Sequence, residues 1–282
     1  MRNYIYAKSM AVDLLKELKD NNKVHSIFNN GINIESKNGL IFIGSDKNGV
    51  LPFGIHLKRI DISKITDVDI GDVFMFDRDK KQLISTDGGK VIDLNKAHSY
   101  PIKLPKNRNL IKDDSLEILL DKVLDMNLKT GLDVMVNEVL SGKEPVLNDL
   151  EEVIISKDTK YIEKKLRKVI GRGKGLTPSG DDMLIGLIWL NDIKEFLSKE
   201  FLQTVEELII GEELTTDVSV AYYKEAFEGK YGGLLIDLCE SLIKGDKKTI
   251  EQNISIMIQL GHSSGIDTLT GIVLGINKML NK

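Results

Sequence analysis

Short apolar runs separated by turn residues occupy the first third of the chain. Between residues 23 and 95 these runs are VHSIF, LIFIG, FGIHL, DVFMF, QLIST and VIDL. The turn sequences that separate them include NNG, KNG, DKNG and TDGG. Runs rich in Ile, Val and Phe and bounded by Gly, Asn and Asp are typical of strands joined by tight turns. The pattern predicts an antiparallel β meander or a small β-barrel.

The stretch before these runs has a different pattern. Residues 1–21 read MRNYIYAKSMAVDLLKELKDN, with apolar residues at roughly helical spacing and charges between them. A signal peptide would have a continuous apolar centre, which is absent here. We therefore expect residues 1–21 to form an amphipathic helix.

From residue 110 onward the apolar positions repeat with a period of about 3.6 residues, which is typical of helices that pack on one face. Segments with this period, most of them ending near Asn or Gly, are SLEILLDKVLDMN, GLDVMVNEVLSG, DTKYIEKKLRKVIG, TTDVSVAYYKEAFEG, YGGLLIDLCESLIKG, DKKTIEQNISIMIQLG and SGIDTLTGIVLGINKML. They predict an all-helical domain of about eight or nine helices. The stretch YPIKLPKNRN, residues 100–109, lacks a period and is interpreted as the linker. The predicted fold is α+β, with a mainly β domain over 1–105 and a larger helical domain over 106–282.

Composition and charge exclude several classes of protein. The 282 residues include 39 Lys and Arg and 43 Asp and Glu, which gives a formal net charge of -4. This balance gives no electrostatic basis for binding nucleic acid or anionic lipid. The one cysteine, Cys239, has no partner for an internal disulfide, and no Cys/His cluster has zinc spacing. We expect a cytoplasmic protein that binds neither nucleic acid nor membrane.

An internal repeat links the middle of the helical region to its end. PSGDDMLIGLI at 178–188 aligns without a gap to SSGIDTLTGIV at 263–273. Both copies read Ser-Gly-X-Asp-X-Leu-X-Gly. They pair Ser179 with Ser264 and Asp182 with Asp267. Each copy is expected to begin a helix.

The repeat has a structural interpretation and a functional one. Ser followed three residues later by Asp resembles a capping box, and Gly186 and Gly271 would let two helix backbones cross closely. A cap, however, requires neither Arg172 nor Lys174. If the two helix N-termini converge, their free N–H groups would form an anion site beside Gly173, Gly175 and Gly180. The added carboxylates suit a metal-bridged phosphate, with Mg as the candidate ion, or a substrate that carries an amide or ammonium beside a carboxylate.

Two further positions extend this candidate site. His262 precedes the second serine pair in GHSSG and is the best candidate for general acid/base catalysis among the four histidines. His25 and His56 lie in strand-like runs, and His98 lies at the edge of the linker. ELTTDVSVAYY at 213–223 is a third helix start rich in hydroxyls, where Thr215 or Thr216 would cap the helix and Ser219 would follow.

Three motifs in series resemble one bacterial family. GRGKGLTPSGDDMLIG, LTTDVSVAYYKEAFEG and QLGHSSGIDTLTGIVLG occur in this order, and NGVLPFGIHL adds a match in the first part of the chain. Together they resemble the family that includes the AllH subunit of oxamate carbamoyltransferase, a family otherwise largely catalogued as a domain of unknown function. The resemblance is dense from about residue 170 onward.

The resemblance implies one component of a multi-subunit enzyme of anaerobic allantoin and purine degradation. That enzyme moves a carbamoyl group between oxalurate and phosphate, giving oxamate and carbamoyl phosphate. The partners would be the other subunits, a small anionic amide or ureido substrate, and phosphate. The residues expected to act in catalysis are His262, Asp182 and Asp267. Those expected to bind substrate are Lys174, Gly175, Thr177, Ser179, Gly180, Asp181, Thr215, Thr216, Ser219, Ser263, Ser264 and Gly265.

Two other classes of function stay open at this point. The protein could be a non-catalytic scaffolding or ligand-binding subunit, in which case the four repeated Ser and Asp residues would be buried in caps. It could also be a phosphate- or nucleotide-binding enzyme, since GKGLTPSGDD resembles the phosphate loops of small-molecule kinases. The Walker pattern is not met, however, because no Gly-Lys-Ser/Thr follows four residues after a glycine. The Ser-Thr-Arg-Thr loop of ordinary carbamoyltransferases is also absent, and the resemblance does not say which subunit holds the chemistry.

Overall fold

The computed structural model describes residues 3–140 and 145–280, and contacts divide the chain into two compact units between Ile102 and Lys103. The first unit contains nine strands. They are β1 (Asn3–Ala11), β2 (Asn21–Phe28), β3 (Gly31–Glu35), β4 (Leu40–Ser45), β5 (Gly54–Leu57), β6 (Val73–Asp77), β7 (Gln82–Ser85), β8 (Lys90–Asp93) and β9 (His98–Tyr100), with a short helix, α1 (Ile62–Thr66), after β5. Each of the six apolar runs of the sequence lies within a strand or extends past it by one residue.

The strands close into a barrel of eight, in the order β5-β4-β3-β2-β6-β7-β8-β1, because β1 pairs with β5. The ninth strand, β9, lies along the second half of β1. The barrel alternative of the sequence prediction is therefore confirmed. The pairing is mostly antiparallel, but β1 runs parallel to β8 and to β9, and β4 runs parallel to β5. Ile, Leu, Val and Phe side chains fill the interior.

The prediction of an amphipathic helix over residues 1–21 is wrong. Residues 3–11 form β1, and only Leu14–Lys16 makes a turn of 3₁₀ helix. In β1 the side chains of Ile5 and Ala7 are buried while those of Tyr4 and Tyr6 are exposed. This alternation has the period of a strand. As a strand, β1 also hydrogen-bonds to β5 on one edge and to β8 on the other, which a helix could not do.

The second unit is helical. Its helices are α2 (Asp113–Asp125), α3 (Val136–Val139), α4 (Pro145–Val153), α5 (Thr159–Leu166), α6 (Ser179–Ile193), α7 (Lys199–Gly211), α8 (Asp217–Phe227), α9 (Gly233–Lys244), α10 (Lys247–Met257) and α11 (Ser264–Leu280). The ten helices of the described residues slightly exceed the predicted eight or nine. Over the described ranges, no helix is both long and apolar enough to cross a membrane.

The two repeated segments form α6 and α11, which pack against each other through their glycines. A Cβ atom built on Gly186 would lie 2.2 Å from the Thr268 carbonyl oxygen, and one built on Gly271 would lie 1.9 Å from that of Met183. Only hydrogen fits at these points, so the close crossing suggested by the two glycines is present. Both helices are buried along most of their length, with Trp189 among the buried residues of α6.

Candidate functional site

The N-terminal ends of α6 and α11 lie side by side. The Thr177 hydroxyl, two residues before α6, is 2.9 Å from the hydroxyl of Ser264, the first residue of α11. Thr177 and Ser264 are half-buried, whereas Ser179 is almost completely buried. Hydroxyl groups from residues far apart in the chain are therefore gathered at one place.

The repeated serines and aspartates interact across the two helices. The Ser264 hydroxyl of α11 lies against the Asp182 carboxyl of α6. In the other direction, the Ser179 hydroxyl of α6 lies against the Asp267 carboxyl of α11, which Ser263 also approaches. At the start of α6 the cap residue is Pro178, and no side chain makes a cap hydrogen bond there. The capping-box interpretation is thus wrong for α6, where the serine and aspartate instead face their counterparts on α11.

Gly131 completes this cluster and was not identified from the sequence. Its N–H donates to Asp267 Oδ1 at 3.0 Å. A Cβ atom on Gly131 would lie 2.3 Å from Ser179 Oγ, 2.5 Å from Ser263 Oγ and 3.1 Å from Asp267 Oδ2. The absence of a side chain at this glycine therefore makes room for three polar side chains of the cluster.

The loop around Gly131 replaces a predicted helix. The segment GLDVMVNEVLSG was expected to be helical throughout, but only Val136–Val139 is helical. Thr130 N–H donates to the Val134 carbonyl at 2.9 Å, which closes a tight turn with Gly131 at its tip. Asp133 takes a left-handed φ of 65° within this turn. The predicted end of the helix, residues 141 and 142, lies outside the described residues.

The carboxyls of Asp182 and Asp267 lie in surroundings that favour their neutral forms. Burial raises the pKa of Asp182 well above its usual range, and the charges of Asp267 and Asp181 raise it further, against the hydroxyls of Ser264 and Thr177. Burial also raises the pKa of Asp267, while the Gly131 N–H and the nearby serine hydroxyls lower it. One oxygen of each carboxyl, Oδ2, is buried and has no hydrogen-bond partner in the part of the chain that the structure describes.

Asp181 points to a different face of α6 from Asp182. Its Oδ1 accepts from Gly171 N–H at 3.0 Å and from the Tyr223 hydroxyl at 3.1 Å, and its Oδ2 accepts from the Thr215 hydroxyl. Asp181 thus fixes the loop before α6 and the start of α8. Because it turns away from Asp182 and Asp267, the three carboxylates do not converge. Within the described ranges no group of three or more His, Cys, Asp or Glu side chains could hold a metal ion.

Four other predicted site residues lie in helix starts or close backbone contacts. Thr216 is the N-cap of α8 and accepts from Ser219 N–H at 3.1 Å, which confirms its predicted capping role. The side chain of Ser219 is buried. Cβ atoms on Gly180 and Gly265 would lie 1.9 Å and 1.8 Å from the carbonyl oxygens of Val169 and Met257. The two glycines allow α6 and α11 to begin against neighbouring backbone.

The remaining predicted residues form an exposed rim. Lys174, Gly175 and His262 are all exposed, in the loop before α6 or the turn before α11. Gly173 and Gly175 have left-handed φ values of 122° and 99°, and the space beside Gly175 is open. No hydrogen bond within the described residues ties Lys174 or His262 to the buried cluster. The site therefore has an acidic, hydroxyl-lined interior and a rim with two nitrogen-bearing side chains.

The raised pKa of Asp182 predicts a pH-dependent stability. A carboxyl whose pKa is higher in the folded protein than in the unfolded chain holds its proton more tightly when folded. Its contribution to the free energy of unfolding therefore falls as pH rises above about 3.9. Asp182→Asn removes this loss, so we expect the stability of the variant relative to wild type to increase from about pH 4 to about pH 8. The increase should be at most about 1.4 kcal/mol per pH unit. Urea unfolding at both pH values measures it.

Asp246→Asn provides a control of opposite sign. Hydrogen bonds from the side chain and backbone of Thr249 lower the pKa of Asp246, so this substitution should be more destabilising at the higher pH. If Asp182→Asn changes stability equally at both pH values, the Asp182 carboxyl does not hold its proton as described.

Two family models match the chain. A model described as oxamate carbamoyltransferase subunit AllH matches residues 169–276, and one described as the AllH family N-terminal domain matches residues 6–99. The first match contains both repeated helix starts, and the second lies within the barrel unit. No solved structure matches the chain. Together the two family models span more than half of the residues.

Proposed function

The chain belongs to the AllH family, and we propose that it is one subunit of a carbamoyltransferase complex, with a substrate site where α6 and α11 begin. The family model named for an oxamate carbamoyltransferase subunit supports this proposal, since it matches 169–276. The Gly131 loop lies outside that match and contributes to the same cluster.

The proposed reaction moves a carbamoyl group between oxalurate and phosphate. A phosphate oxygen attacks the carbamoyl carbon of oxalurate, and the bond from that carbon to the oxamate nitrogen breaks. The nitrogen takes up a proton, so the products are oxamate and carbamoyl phosphate. This would place the protein in anaerobic allantoin degradation. Its reaction needs donors for a tetrahedral oxyanion, a cation for phosphate, and a group that delivers a proton.

The residues at the site can be assigned to these tasks. The first N–H group of each helix, that of Ser179 in α6 and that of Ser264 in α11, would stabilise the developing oxyanion together with the helix dipoles. The next N–H groups, those of Gly180 and Gly265, already donate to the Arg172 and Leu260 carbonyls. Lys174 and the backbone of the exposed glycine loop would hold phosphate. His262 would pass the proton to the leaving nitrogen from its exposed position before α11. The interior carboxyls and hydroxyls would orient the substrate.

Two buried carboxyl oxygens without a hydrogen-bond partner among the described residues, where the serines and aspartates of the two helices meet, carry the proposal. Close packing of α6 on α11 accounts for Gly186 and Gly271, but it does not need such oxygens. A scaffold motif would satisfy its own polar atoms, because leaving a buried oxygen without a partner costs about 1–3 kcal/mol. Asp182 and Asp267 each carry such an oxygen. This observation favours a ligand site over a purely structural crossing.

The test is carbamoyl transfer by the complex that co-purifies with the full chain. Ser179→Ala removes a hydroxyl of the cluster and should lower the rate from carbamoyl phosphate and oxamate by about 10²-fold, as loss of one positioned polar group often does. Ser255→Ala is the matched control, because that hydroxyl bonds the Glu251 carbonyl on α10 at 2.8 Å. Full activity of the Ser179→Ala complex would place the chemistry on another subunit.

A further inference from the structure

Two exposed segments of main chain approach the buried cluster from different parts of the helical unit. Gly131 lies in the turn before α3, Gly173 lies in the loop before α6, and both are exposed. A Cβ atom on Gly131 would lie 2.3 Å from Ser179 Oγ, and one on Gly173 would lie 3.0 Å from the same atom. The turn and the loop therefore meet at one hydroxyl of the cluster, and solvent reaches the main chain of both.

Each of the two segments brings a lysine to this meeting point. Lys174 follows Gly173 and is exposed. Lys129 lies two residues before Gly131, and its Nζ is 2.9 Å from Asp133 Oδ1 in an ion pair that spans the turn. The hydrogen bond from Lys129 lowers the pKa of Asp133, and the charges of Lys129 and Lys174 lower it further. The two ammonium groups therefore lie near the same carboxylate.

The turn does not depend on this ion pair. Its backbone is closed by Thr130 N–H, which donates to the Val134 carbonyl at 2.9 Å, and by Asp133 N–H, which donates to the Thr130 carbonyl at 3.0 Å. Both side chains of the ion pair are more than half exposed, and exposed pairs contribute little to folding stability. Lys129 can therefore exchange the Asp133 carboxylate for another anion at little cost. Lys174 forms no ion pair within the described part of the chain.

The surroundings of the two lysines suit an anion with several oxygens. In the described ranges, the N–H groups of residues 173–176 donate no hydrogen bond to the protein, and the space beside Gly175 is open. Exposed main-chain N–H groups of this kind bind anions. The interior carboxyls oppose such an anion only weakly, because burial raises the pKa values of Asp182 and Asp267 and favours their neutral forms.

We propose that Lys129 is a second phosphate-binding residue, which binds the phosphoryl group of the substrate together with Lys174 and releases Asp133 when it does so. Lysine binds phosphate as a point charge, and two ammonium groups match the charge of a phosphate dianion. The identity of the ligand rests on the proposed function, whose reactants are phosphate and carbamoyl phosphate. Phosphate would then lie at the exposed meeting point of the turn and the loop, outside the buried cluster.

Titration calorimetry with inorganic phosphate tests this assignment on the complex that co-purifies with the full chain. Lys129→Met removes the ammonium group but keeps a long side chain, and it should weaken phosphate binding by about 10-fold or more. Asp133→Asn removes the competing carboxylate and should tighten phosphate binding by up to about fivefold. Asparagine tolerates the left-handed φ of 65° at this position, so the turn should keep its shape. A general disturbance of the turn would weaken binding in both variants.

Lys16→Met and Asp13→Asn are the matched controls. Lys16 Nζ lies 2.6 Å from Asp13 Oδ1 in an exposed ion pair, and Asp13 has a left-handed φ of 64°. The two substitutions make the same changes of charge within the barrel unit. Neither should alter phosphate affinity, so they separate a local effect from a change in net charge.

Oxamate distinguishes a phosphoryl site from a site for the carboxylate of the other substrate. Lys129→Met should weaken phosphate binding more than oxamate binding. An equal or larger loss for oxamate overturns the assignment, as does the absence of phosphate binding by the wild-type complex or unchanged phosphate affinity in Lys129→Met. Weaker phosphate binding by Asp133→Asn also overturns it.

The phosphate site and the proposed function can fail separately. If phosphate binding changes as expected but the complex transfers no carbamoyl group, the site stands and the proposed reaction falls. If the complex transfers carbamoyl groups and Lys129→Met leaves the KM for carbamoyl phosphate unchanged, the reaction stands and the role of Lys129 falls.

Discussion

Gly271→Ala is expected to destabilise the protein by about 3 kcal/mol or more. The added methyl would lie 1.9 Å from the Met183 carbonyl oxygen and 2.7 Å from its carbon. These are backbone atoms of a helix, so no side-chain rotation can relieve the overlap. α11 would have to move away from α6 and would lose the dense packing between them. Urea unfolding of the full chain measures the loss, with the midpoint compared at an unchanged slope.

Gly211→Ala is the control for this substitution. Gly211 is the last residue of α7, and a Cβ atom there would meet nothing within 4 Å. The change should be neutral or should stabilise the protein by up to about 1 kcal/mol, because alanine restricts the unfolded chain more than glycine does. If Gly271→Ala is as stable as Gly211→Ala, the two helices do not cross as closely as described.

Gly131→Ala should abolish most ligand binding while the chain stays folded. The new methyl would lie 2.3 Å and 2.5 Å from the hydroxyls of Ser179 and Ser263. Both are side-chain atoms that can rotate away, unlike the carbonyl met at Gly271. The rotation would move the hydroxyls from the Asp267 carboxyl, and displacements of about 1 Å at a reacting site can cost about 10²-fold in rate. We expect a loss of this size in carbamoyl transfer by the complex.

The two measurements on Gly131→Ala must be made together. The unfolding midpoint should fall only slightly, and oxamate binding by the same preparation should weaken strongly. Gly211→Ala again controls for the general effect of the methyl. Unchanged binding would show that Gly131 lies beside the cluster without shaping the ligand site. Loss of the folded state would assign this glycine to packing.

The helical unit was predictable because its apolar residues repeat with the period of the helix over long segments. The barrel strands were predictable where apolar runs were bounded by turns, as in β4 and β6. β1 was misread because an Ile and an Ala alternate with exposed tyrosines over a few residues only, while DLLKELK further on has helical spacing. Pairing with β5 and β8 decided its conformation, and local sequence does not report such distant partners.

The members of the polar cluster were easier to predict from the sequence than the contacts between them. The internal repeat singled out Ser179, Asp182, Ser264 and Asp267, and the structure places these four side chains in one cluster. It could not show that the pairs interact across helices, because spacing along one helix says nothing about which neighbour it faces. Gly131 was missed since it lies 136 residues from its partner Asp267. The sequence Thr-Gly-Leu-Asp at 130–133 is only a weak signal for a turn. The apolar residues that follow it have helical spacing, so the whole segment was predicted to be a helix.

The distance along the chain between the parts of the site has a consequence for how a new copy of the protein matures. Thr177 and Ser264 are 87 residues apart, and Gly131 and Asp267 still further. During synthesis, the Gly131 turn and the start of α6 leave the ribosome well before residues 263–267 exist. A nascent chain that has folded its barrel and first helices therefore has only one half of the site. At the proposed site, such a chain would be unable to recognise substrate until α11 docks, so ligand binding would report that α11 has packed against α6.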